Sequence, residues 1–421
     1  MKNIHTAFFA LFLCIIFNQS ELKAQDVPSN TNIPGIENFD NEFISFMEKW
    51  EVPGGQVTVC KDGRLVYSKA YGYSDLENKI PATTDELFRI ASVSKPITAV
   101  AIMKMIQEGK LKLSDKALDI LSDFTPPPGT TVIDKRWYDI TVENLLEHTG
   151  GWTLVNGDRQ IIYLRKAADA FGTPRPADAK TIIRYGMKDS LEFTPGTEYS
   201  YSNFGYNILG RIIEKISGKT YEKYMQEEIL ALAGISDMLI AKTRDIYRLP
   251  NEAKYYTEND NKDVFWSVLD EEEKMVTMAY GADYFIEVMD SHGGWLSTAE
   301  DLAKFVTSVD TKTNRPHILT QATVDNMLSE PTLKPKADAT QYYAKGWNYE
   351  PSTDSWFHAG ALAGVTSYII RMGDGTTVTV IFNFLSMSKL GDYLTELTKS
   401  TVPNSLKSVK QWPAEDLFNI K

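Results

Sequence analysis

The sequence predicts an α+β fold in which a sheet lobe, built from the two ends of the chain, carries an inserted helical lobe. Residues 56–72 are typical of two strands joined at 61–63, because β-branched and apolar residues flank an Asp-Gly pair. A second hairpin is predicted near the other end, where residues 366–371 and 376–384 flank the Gly-Asp-Gly turn at 373–375. Helical patterns dominate the middle of the chain. The strands therefore come from the two ends and the helices from between them.

A buried helix is predicted shortly after the first hairpin. Residues 97–106 (ITAVAIMKMI) are apolar on nearly every side, with Thr98 and Lys104 as the exceptions. Gly109 follows as a stop signal. We expect this helix in the core, with Ser92 at its opening turn.

An amphipathic helix is predicted later in the chain. Phe204, Ile208, Ile212 and Ile216 repeat every four residues, and Gly218 lies just beyond them. This spacing places the four apolar side chains on one face.

Two further helices are predicted in the last third of the chain. Ser297 and Glu300 form a capping-box pattern ahead of apolar Leu302 and Phe305, which indicates a helix start at Ser297. A helix-like tail follows from about Leu390.

These elements divide the chain into three parts. Residues 1–24 are predicted to be a signal peptide, residues 25–110 and 285–421 the sheet lobe, and residues 111–284 the helical lobe.

The signal peptide rests on the first residues of the sequence. Lys2 supplies positive charge, residues 7–17 are apolar and uncharged, and Ala24 offers a small residue before cleavage, so the mature chain would begin near Gln25. The predicted location is periplasmic or secreted. No other stretch approaches the roughly 20 apolar residues of a spanning helix, so no stable membrane span is expected after signal removal. Retention of the segment as an anchor is the alternative.

Charge and cysteine content argue against nucleic acid as a partner and against an intramolecular disulfide. The formal net charge of −12 argues against nucleic acid as a partner. Removing the signal peptide would leave Cys60 as the remaining cysteine, because Cys14 lies in the apolar run, so no intramolecular disulfide is expected.

Ser92 and Lys95 are the candidate nucleophile and base. A nucleophilic serine needs a base within hydrogen-bond reach, and two residues three apart share one helix face. The same Ser-x-x-Lys spacing also begins at Ser20, in the signal, and at Ser386, after a strand. Ser92 instead opens a buried helix, whose N-terminus favours an alkoxide and whose apolar surroundings can lower a lysine pKa. The alternative is a helix-capping serine with a solvated lysine.

Two further segments carry candidate functional residues. The turn-forming stretch 195–203 leads directly into a helix, so Tyr201 and Asn203 lie at a loop end, where they can exchange a proton and orient an amide.

The second segment is 356–361, which precedes the C-terminal hairpin. The small residues Gly360 and Ala361 beside a strand edge would let a substrate backbone approach, and His358 offers a donor or a titrating group. A structural histidine with satisfied hydrogen bonds is the alternative for His358.

These segments and their order resemble the serine β-lactamase and penicillin-binding-protein superfamily, particularly the branch with class C β-lactamases, D-alanyl carboxypeptidases, D-aminopeptidases and related esterases. Ser-Val-Ser-Lys at 92–95 matches the first motif, Tyr-Ser-Asn at 201–203 the second, and His-Ala-Gly at 358–360 the third. The phrases at 145–151 and 293–298 also resemble that branch. The resemblance runs from about residue 43 to residue 384 and implies one catalytic unit over that range.

The resemblance implies an α/β/α sandwich, in which an antiparallel sheet flanked by helices is joined to an all-helical lobe, with the active site between them. Ser92 would attack a carbonyl to give an acyl-enzyme, and Lys95 would take the proton of the Ser92 hydroxyl. Tyr201 would act as the acid that protonates the leaving group and as the base that deprotonates the attacking water. The backbone N–H groups of Ser92 and Ala361 would form the oxyanion hole. Asn203 would hold the acyl amide.

The third motif departs from the class C pattern, which is usually Lys-Thr-Gly. His358-Ala359-Gly360 lacks a permanent positive charge and a hydroxyl, both of which help to bind a substrate carboxylate, although a protonated His358 could still bind an anion. The departure favours an esterase or peptidase over an efficient β-lactamase. The alternatives are β-lactamase or D-alanyl-D-alanine carboxypeptidase activity, or a sensor that binds acyl compounds or β-lactams without turnover.

No metal or other cofactor is expected. The histidines at 148, 292, 317 and 358 are isolated, without His-Glu-x-x-His or paired-cysteine spacing, and His148 and His292 are interpreted as structural. The expected partner is a small acyl or peptide substrate. Nothing in the sequence predicts an oligomeric state.

Overall fold

The computed structural model describes residues 35–155, 157–258, 264–269, 275–282 and 284–419. The predicted signal peptide lies outside these residues and stays a prediction. Within the described ranges, no helix combines the length and the apolar character that crossing a membrane requires.

The strands follow in chain order. They are β1 (Gly54–Lys61), β2 (Arg64–Asp75), β3 (Ile80–Pro81), β4 (Phe88–Arg89), β5 (Leu239–Ile240), β6 (Tyr256–Thr257), β7 (Val264–Trp266), β8 (Met275–Thr277), β9 (Trp295–Ser297), β10 (Tyr342–Tyr343), β11 (Asn348–Glu350), β12 (Ser355–Leu362), β13 (Val365–Arg371), β14 (Thr376–Phe382) and β15 (Phe384–Leu385).

The α-helices are interspersed with these strands. They are α1 (Ile36–Trp50), α2 (Ser94–Gln107), α3 (Ala117–Ile120), α4 (Val142–Leu146), α5 (Arg159–Ile162), α6 (Leu164–Phe171), α7 (Ala179–Gly186), α8 (Asn203–Ser217), α9 (Tyr221–Met225), α10 (Ala299–Val309), α11 (Gln321–Met327), α12 (Leu390–Glu396) and α13 (Val402–Ser408).

The main sheet joins the two ends of the chain. Its strand order is β10-β11-β12-β13-β14-β1-β2-β3, and neighbouring strands are antiparallel. The N-terminal hairpin meets the C-terminal one through the β1–β14 pair, which runs from Gly55 opposite Phe382 to Lys61 opposite Thr376. Both predicted hairpins, and the sheet built from the chain ends, are confirmed.

Helices cover both faces of this sheet. On one face, α1, α12 and α13 bury a cluster of aromatic and branched side chains with β1, β2, β13 and β14. On the other face, α10 packs against β1 and β14. Successive side chains of β14 point to opposite faces of the sheet. Val378 and Val380 therefore belong to the cluster under α1, α12 and α13, whereas Ile381 belongs to the largest core cluster of the protein, on the other face. The predicted α+β class and α/β/α sandwich are confirmed.

The predicted buried helix is α2, which packs against α8 in the largest core cluster. Burial extends to nearly every side of α2, including its polar residues Lys95 and Thr98. Helix α8 ends as predicted at Gly218, whose φ of 68° is the left-handed conformation that glycine adopts readily.

One predicted helix start is wrong by one residue. Thr298, not Ser297, caps α10, because the Thr298 hydroxyl accepts a hydrogen bond from the Asp301 backbone N–H at 3.0 Å. Ser297 is the last residue of β9, and its hydroxyl donates to the Thr298 carbonyl. Strand pairing therefore extends through Ser297 and delays the helix.

The middle of the chain also contains short strands, β5 to β8, which the helical patterns did not predict. Strand β5 pairs with β9, and β9 pairs with β4, which directly precedes Ser92. This small sheet thus ties the middle of the chain to the segment that carries the candidate nucleophile.

Candidate active site

Ser92 lies in a short 3-10 turn, Ala91–Val93, directly before α2. Ala91 has a φ of 45°, a left-handed conformation that is uncommon for residues with a Cβ atom. Two hydrogen bonds hold the turn: the Val93 N–H donates to the Ile90 carbonyl at 3.2 Å, and the Ser94 hydroxyl donates to the Ala91 carbonyl at 2.7 Å. The backbone is therefore sharply bent where it presents the serine, an arrangement common at functional sites.

Lys95 lies within hydrogen-bond distance of Ser92 and is fully buried. Its Nζ is 3.0 Å from Ser92 Oγ and donates to the His292 carbonyl at 2.9 Å. Burial lowers the Lys95 pKa to about 7, and the negative charge of Asp158 opposes that decrease. A large fraction of Lys95 is thus neutral near pH 7 and able to take a proton from Ser92.

Tyr201 lies beside both Ser92 and Lys95. The Lys95 Nζ is 4.6 Å from the centre of the Tyr201 ring. Burial raises the pKa of Tyr201, and a hydrogen bond with the Ser92 side chain partly opposes this increase. The structure therefore brings Ser92, Lys95 and Tyr201 together, with a neutral phenol beside the serine.

His148 fixes the loop that carries Tyr201. Its Nδ1 accepts a hydrogen bond from the Ser202 N–H at 3.1 Å, and its carbonyl accepts one from the Ser200 N–H at 2.9 Å. The His148 ring also packs 4.4 Å from the Tyr201 ring, centre to centre. Burial, together with Lys95 and His358, holds the His148 pKa well below its usual value. His148 is thus a neutral positioning residue.

His358 is held in a neutral state on β12. Its Nδ1 lies 2.7 Å from the Ala359 carbonyl, and its Nε2 lies 3.2 Å from the Tyr343 hydroxyl. The first contact requires Nδ1 to donate, so Nε2 accepts from Tyr343. Burial, reinforced by Lys95, lowers the His358 pKa to about 3. This lowered pKa argues against the expectation that a protonated His358 binds an anion near neutral pH.

Gly360 allows β12 to lie against the Ser92 turn. A Cβ atom at this position would fall 2.2 Å from the Ser367 hydroxyl, 2.4 Å from the Ile90 carbonyl oxygen and 3.1 Å from the Ser92 nitrogen. The Ser367 hydroxyl donates to the Ile90 carbonyl at 2.6 Å through this gap. Glycine is therefore required here for close approach. Ala361 lines the same cavity as Ser92, and the oxyanion hole formed by their N–H groups stays a prediction.

A cavity of about 230 Å³ opens beside Ser92. Its wall is mostly apolar, and its larger apolar side chains are Ile161, Met278, Met289, Leu362, Leu385, Met387 and Leu390. Its polar part contains Ser92, Asp158, Gln160, Asn203 and His292. A larger cavity of about 420 Å³ lies beyond Tyr199 and Tyr343, but Ser92 does not line it. The smaller cavity is therefore the candidate substrate site.

Asn203 is already engaged within this cavity. Its Nδ2 donates to the Asp158 carboxylate, while its Oδ1 is buried without a partner among the described residues. The structure thus brings Asn203 to Ser92 as expected, but adds Asp158 and Gln160, which carry no recognisable motif. A sequence signal for these two residues is lacking because they lie in the irregular stretch before and within the short helix α5.

Comparison with known proteins shows similarity along most of the chain. The family model described as Beta-lactamase matches residues 39–401. Among curated proteins, Protein flp of Staphylococcus aureus (strain COL) is 26% identical over an alignment of 388 residues, and the match covers 89% of this chain and 68% of that protein.

Solved structures show the same architecture. The octameric penicillin-binding protein homologue from Pyrococcus abyssi matches with a TM-score of 0.62 at 25% identity, over 89% of this chain and 79% of that one. EstCE1, a hydrolase with promiscuous acyltransferase activity, matches with a TM-score of 0.66 at 20% identity, over 90% of this chain and 99% of that one.

Proposed function

This chain belongs to the β-lactamase family, and on that premise we propose that it is an exported serine hydrolase that forms an acyl-enzyme at Ser92 and cleaves an ester or amide. The observation that carries the proposal is the 3.0 Å contact between Ser92 Oγ and Lys95 Nζ, with the lysine pKa lowered by burial to about 7. A lysine with its ordinary pKa would be protonated and could not act as the base.

The proposed reaction proceeds in two steps. In the first, neutral Lys95 takes the proton of Ser92 as Oγ attacks the carbonyl, and Tyr201 gives a proton to the leaving group. In the second, Tyr201 takes a proton from the attacking water, and as the tetrahedral intermediate collapses Lys95 gives its proton back to the departing Ser92 Oγ. The backbone N–H groups of Ser92 and Ala361 would stabilise the developing oxyanion, a contribution of about 3 kcal/mol per donor.

The cavity favours an ester or amide without a free carboxylate beside the reacting carbonyl. Its described lining residues include no Lys or Arg, and His358 is neutral near pH 7. A penicillin or a peptide C-terminus would therefore meet no permanent cation there. This supports esterase or amidase action over β-lactamase or D-alanyl-D-alanine carboxypeptidase action.

Turnover of a mixed ester and amide panel, with nitrocefin and a D-Ala-D-Ala peptide included, tests the proposal. We expect Ser92→Ala to abolish cleavage, whereas Ser386→Ala, which removes the other Ser-x-x-Lys serine outside the signal, retains it because that hydroxyl contacts Glu258. Equal turnover by wild type and Ser92→Ala would overturn the assignment.

Intact-mass spectrometry separates an enzyme from a sensor. A transient acyl adduct on Ser92 that decays with product release supports hydrolysis, whereas a stable adduct without product release contradicts it. Export is tested by N-terminal sequencing of the protein recovered from the medium or periplasm, where a chain beginning near Gln25 supports the proposal and one that retains residues 1–24 contradicts it.

A further inference from the structure

The polar part of the cavity beside Ser92 combines one negative charge with neutral hydrogen-bonding side chains. Given the proposed acyl-enzyme chemistry, on which this inference rests, we propose that the cavity selects acyl groups with a free amino group next to the reacting carbonyl. Asp158, Gln160 and Asn203 are the residues that bind this ammonium.

Asp158 supplies the negative charge. Its carboxylate accepts hydrogen bonds from the Gln160 backbone N–H at 2.9 Å and from Asn203 Nδ2. No ion pair joins it to a lysine or arginine within the described ranges. Its charge reaches the reacting groups, since it raises the pKa of both Lys95 and Tyr201. The cavity therefore holds a carboxylate without a cationic partner close to the nucleophile.

Asn203 and Gln160 supply neutral acceptors. Because Asn203 turns its Nδ2 toward Asp158, its Oδ1 remains free, buried and without a partner among the described residues. Gln160 is only 3% exposed, lines the cavity, and leaves both atoms of its side-chain amide unpaired within the same described set. Buried polar groups in proteins are nearly always paired, so these atoms indicate a missing ligand.

An ammonium group matches these three side chains. It has three N–H donors and no acceptor, and Asp158, Asn203 Oδ1 and Gln160 Oε1 each offer an acceptor. A carboxylate in the same place would be repelled by Asp158. The donors that line the cavity there, the Gln160 amide and one ring N–H of neutral His292, carry no positive charge to offset this repulsion. The polar contacts thus discriminate by charge.

The rest of the cavity defines the remainder of the substrate. Its apolar wall fits a hydrocarbon side chain, and the volume of about 230 Å³ limits the acyl group to a small molecule. The substrate class is therefore an ester or amide of an apolar amino acid with an unblocked amino group.

Binding of the ammonium would also favour the chemical step. Asp158 raises the Lys95 pKa, so a cation that neutralises Asp158 lowers it and leaves more Lys95 as the free base. An amino-acyl substrate would consequently promote its own attack by Ser92.

The test compares two ethyl esters that differ only in the amino group: phenylalanine ethyl ester, in both enantiomers, and 3-phenylpropanoic acid ethyl ester. Wild type should prefer one phenylalanine enantiomer over the deamino ester by at least about tenfold in kcat/KM. Asp158→Asn should remove most of this preference, because kcat/KM for the phenylalanine ester should fall more than kcat/KM for the deamino ester. Asp169→Asn, which removes an exposed carboxylate on α6, should leave both rates unchanged.

Two results would overturn the inference. One is equal cleavage of both esters by wild type. The other is a parallel loss of both rates in Asp158→Asn, which would show that Asp158 only orients Asn203.

Calorimetry separates this inference from the proposed hydrolysis. Binding of the same esters to Ser92→Ala, with and without Asp158→Asn, does not depend on turnover. An amine preference in binding that requires Asp158, without cleavage by wild type, would support the amine site and overturn the hydrolase. Absence of any amine preference in binding would overturn the amine site alone.

Discussion

Replacing Lys95 by methionine is expected to abolish turnover and yet stabilise the folded protein below neutral pH. The decrease of the Lys95 pKa from 10.5 to about 7 means that protonating this buried amine costs about 5 kcal/mol more in the folded than in the unfolded chain. Methionine avoids that cost but loses the Nζ contacts with Ser92 Oγ and the His292 carbonyl, together about 2–3 kcal/mol. The net gain below pH 7 is about 2 kcal/mol.

The stability difference between Lys95→Met and wild type is expected to change sign with pH. Below about pH 7 both states of the wild type carry the proton, and the folded state bears the full cost. Between about pH 7 and 10.5 the unfolded chain binds the proton that the folded chain lacks, so wild-type stability rises by about 1.4 kcal/mol per pH unit. The advantage of Lys95→Met should therefore shrink above pH 7 and reverse between about pH 8 and 9.

Urea unfolding of both proteins at a series of pH values measures this difference, because groups that titrate equally in both cancel. Lys104→Met on the same helix is the matched control: it removes a partly exposed ion pair with Glu108 and should be less stable than wild type throughout the series. A stability difference for Lys95→Met that is flat with pH would refute the buried, neutral base. Turnover retained by Lys95→Met would refute its catalytic role.

Further predictions concern the site and the core. For a neutral ester, kcat/KM should rise with pH through about 7 and then level off, because free-base Lys95 is the active form; a pH-rate profile without this acid limb would contradict it. Gly360→Ala should lower kcat/KM at least about 100-fold by displacing β12, while Gly391→Ala, where a Cβ meets open space, should not; similar kinetics in the two variants would refute the packing argument. His148→Ala should lower kcat at least about tenfold while the far-ultraviolet circular dichroism spectrum stays unchanged. A kcat equal to that of wild type in this variant would show that the Tyr201 loop keeps its position without the His148 ring. Cys60 is buried and burial raises its thiol pKa, so Ellman's reagent should label it only after unfolding; rapid labelling of the native protein would contradict its burial.

The sequence by itself determined the parts of the fold that depend on local patterns. β-Branched and apolar residues around Asp-Gly turns identified both hairpins, and their positions near the chain ends indicated a sheet, which the β1–β14 pair joins. The apolar run after Ser92 identified α2. Local patterns were less reliable at boundaries, as at Ser297 and Thr298, because pairing of β9 with β4 and β5 decides where the strand ends and α10 begins.

For the site, the sequence determined which residues could react. The tertiary structure decided their charge states and which other side chains lie beside them. Ser92 and Lys95 could be found from helical spacing and ordered motifs, but burial lowers the Lys95 pKa and keeps His358 neutral, and burial depends on segments far away in the chain. Asp158 and Gln160 could not be found at all. They enter the site because folding brings the start of α5 beside Asn203, and no local periodicity encodes a contact between residues 45 positions apart.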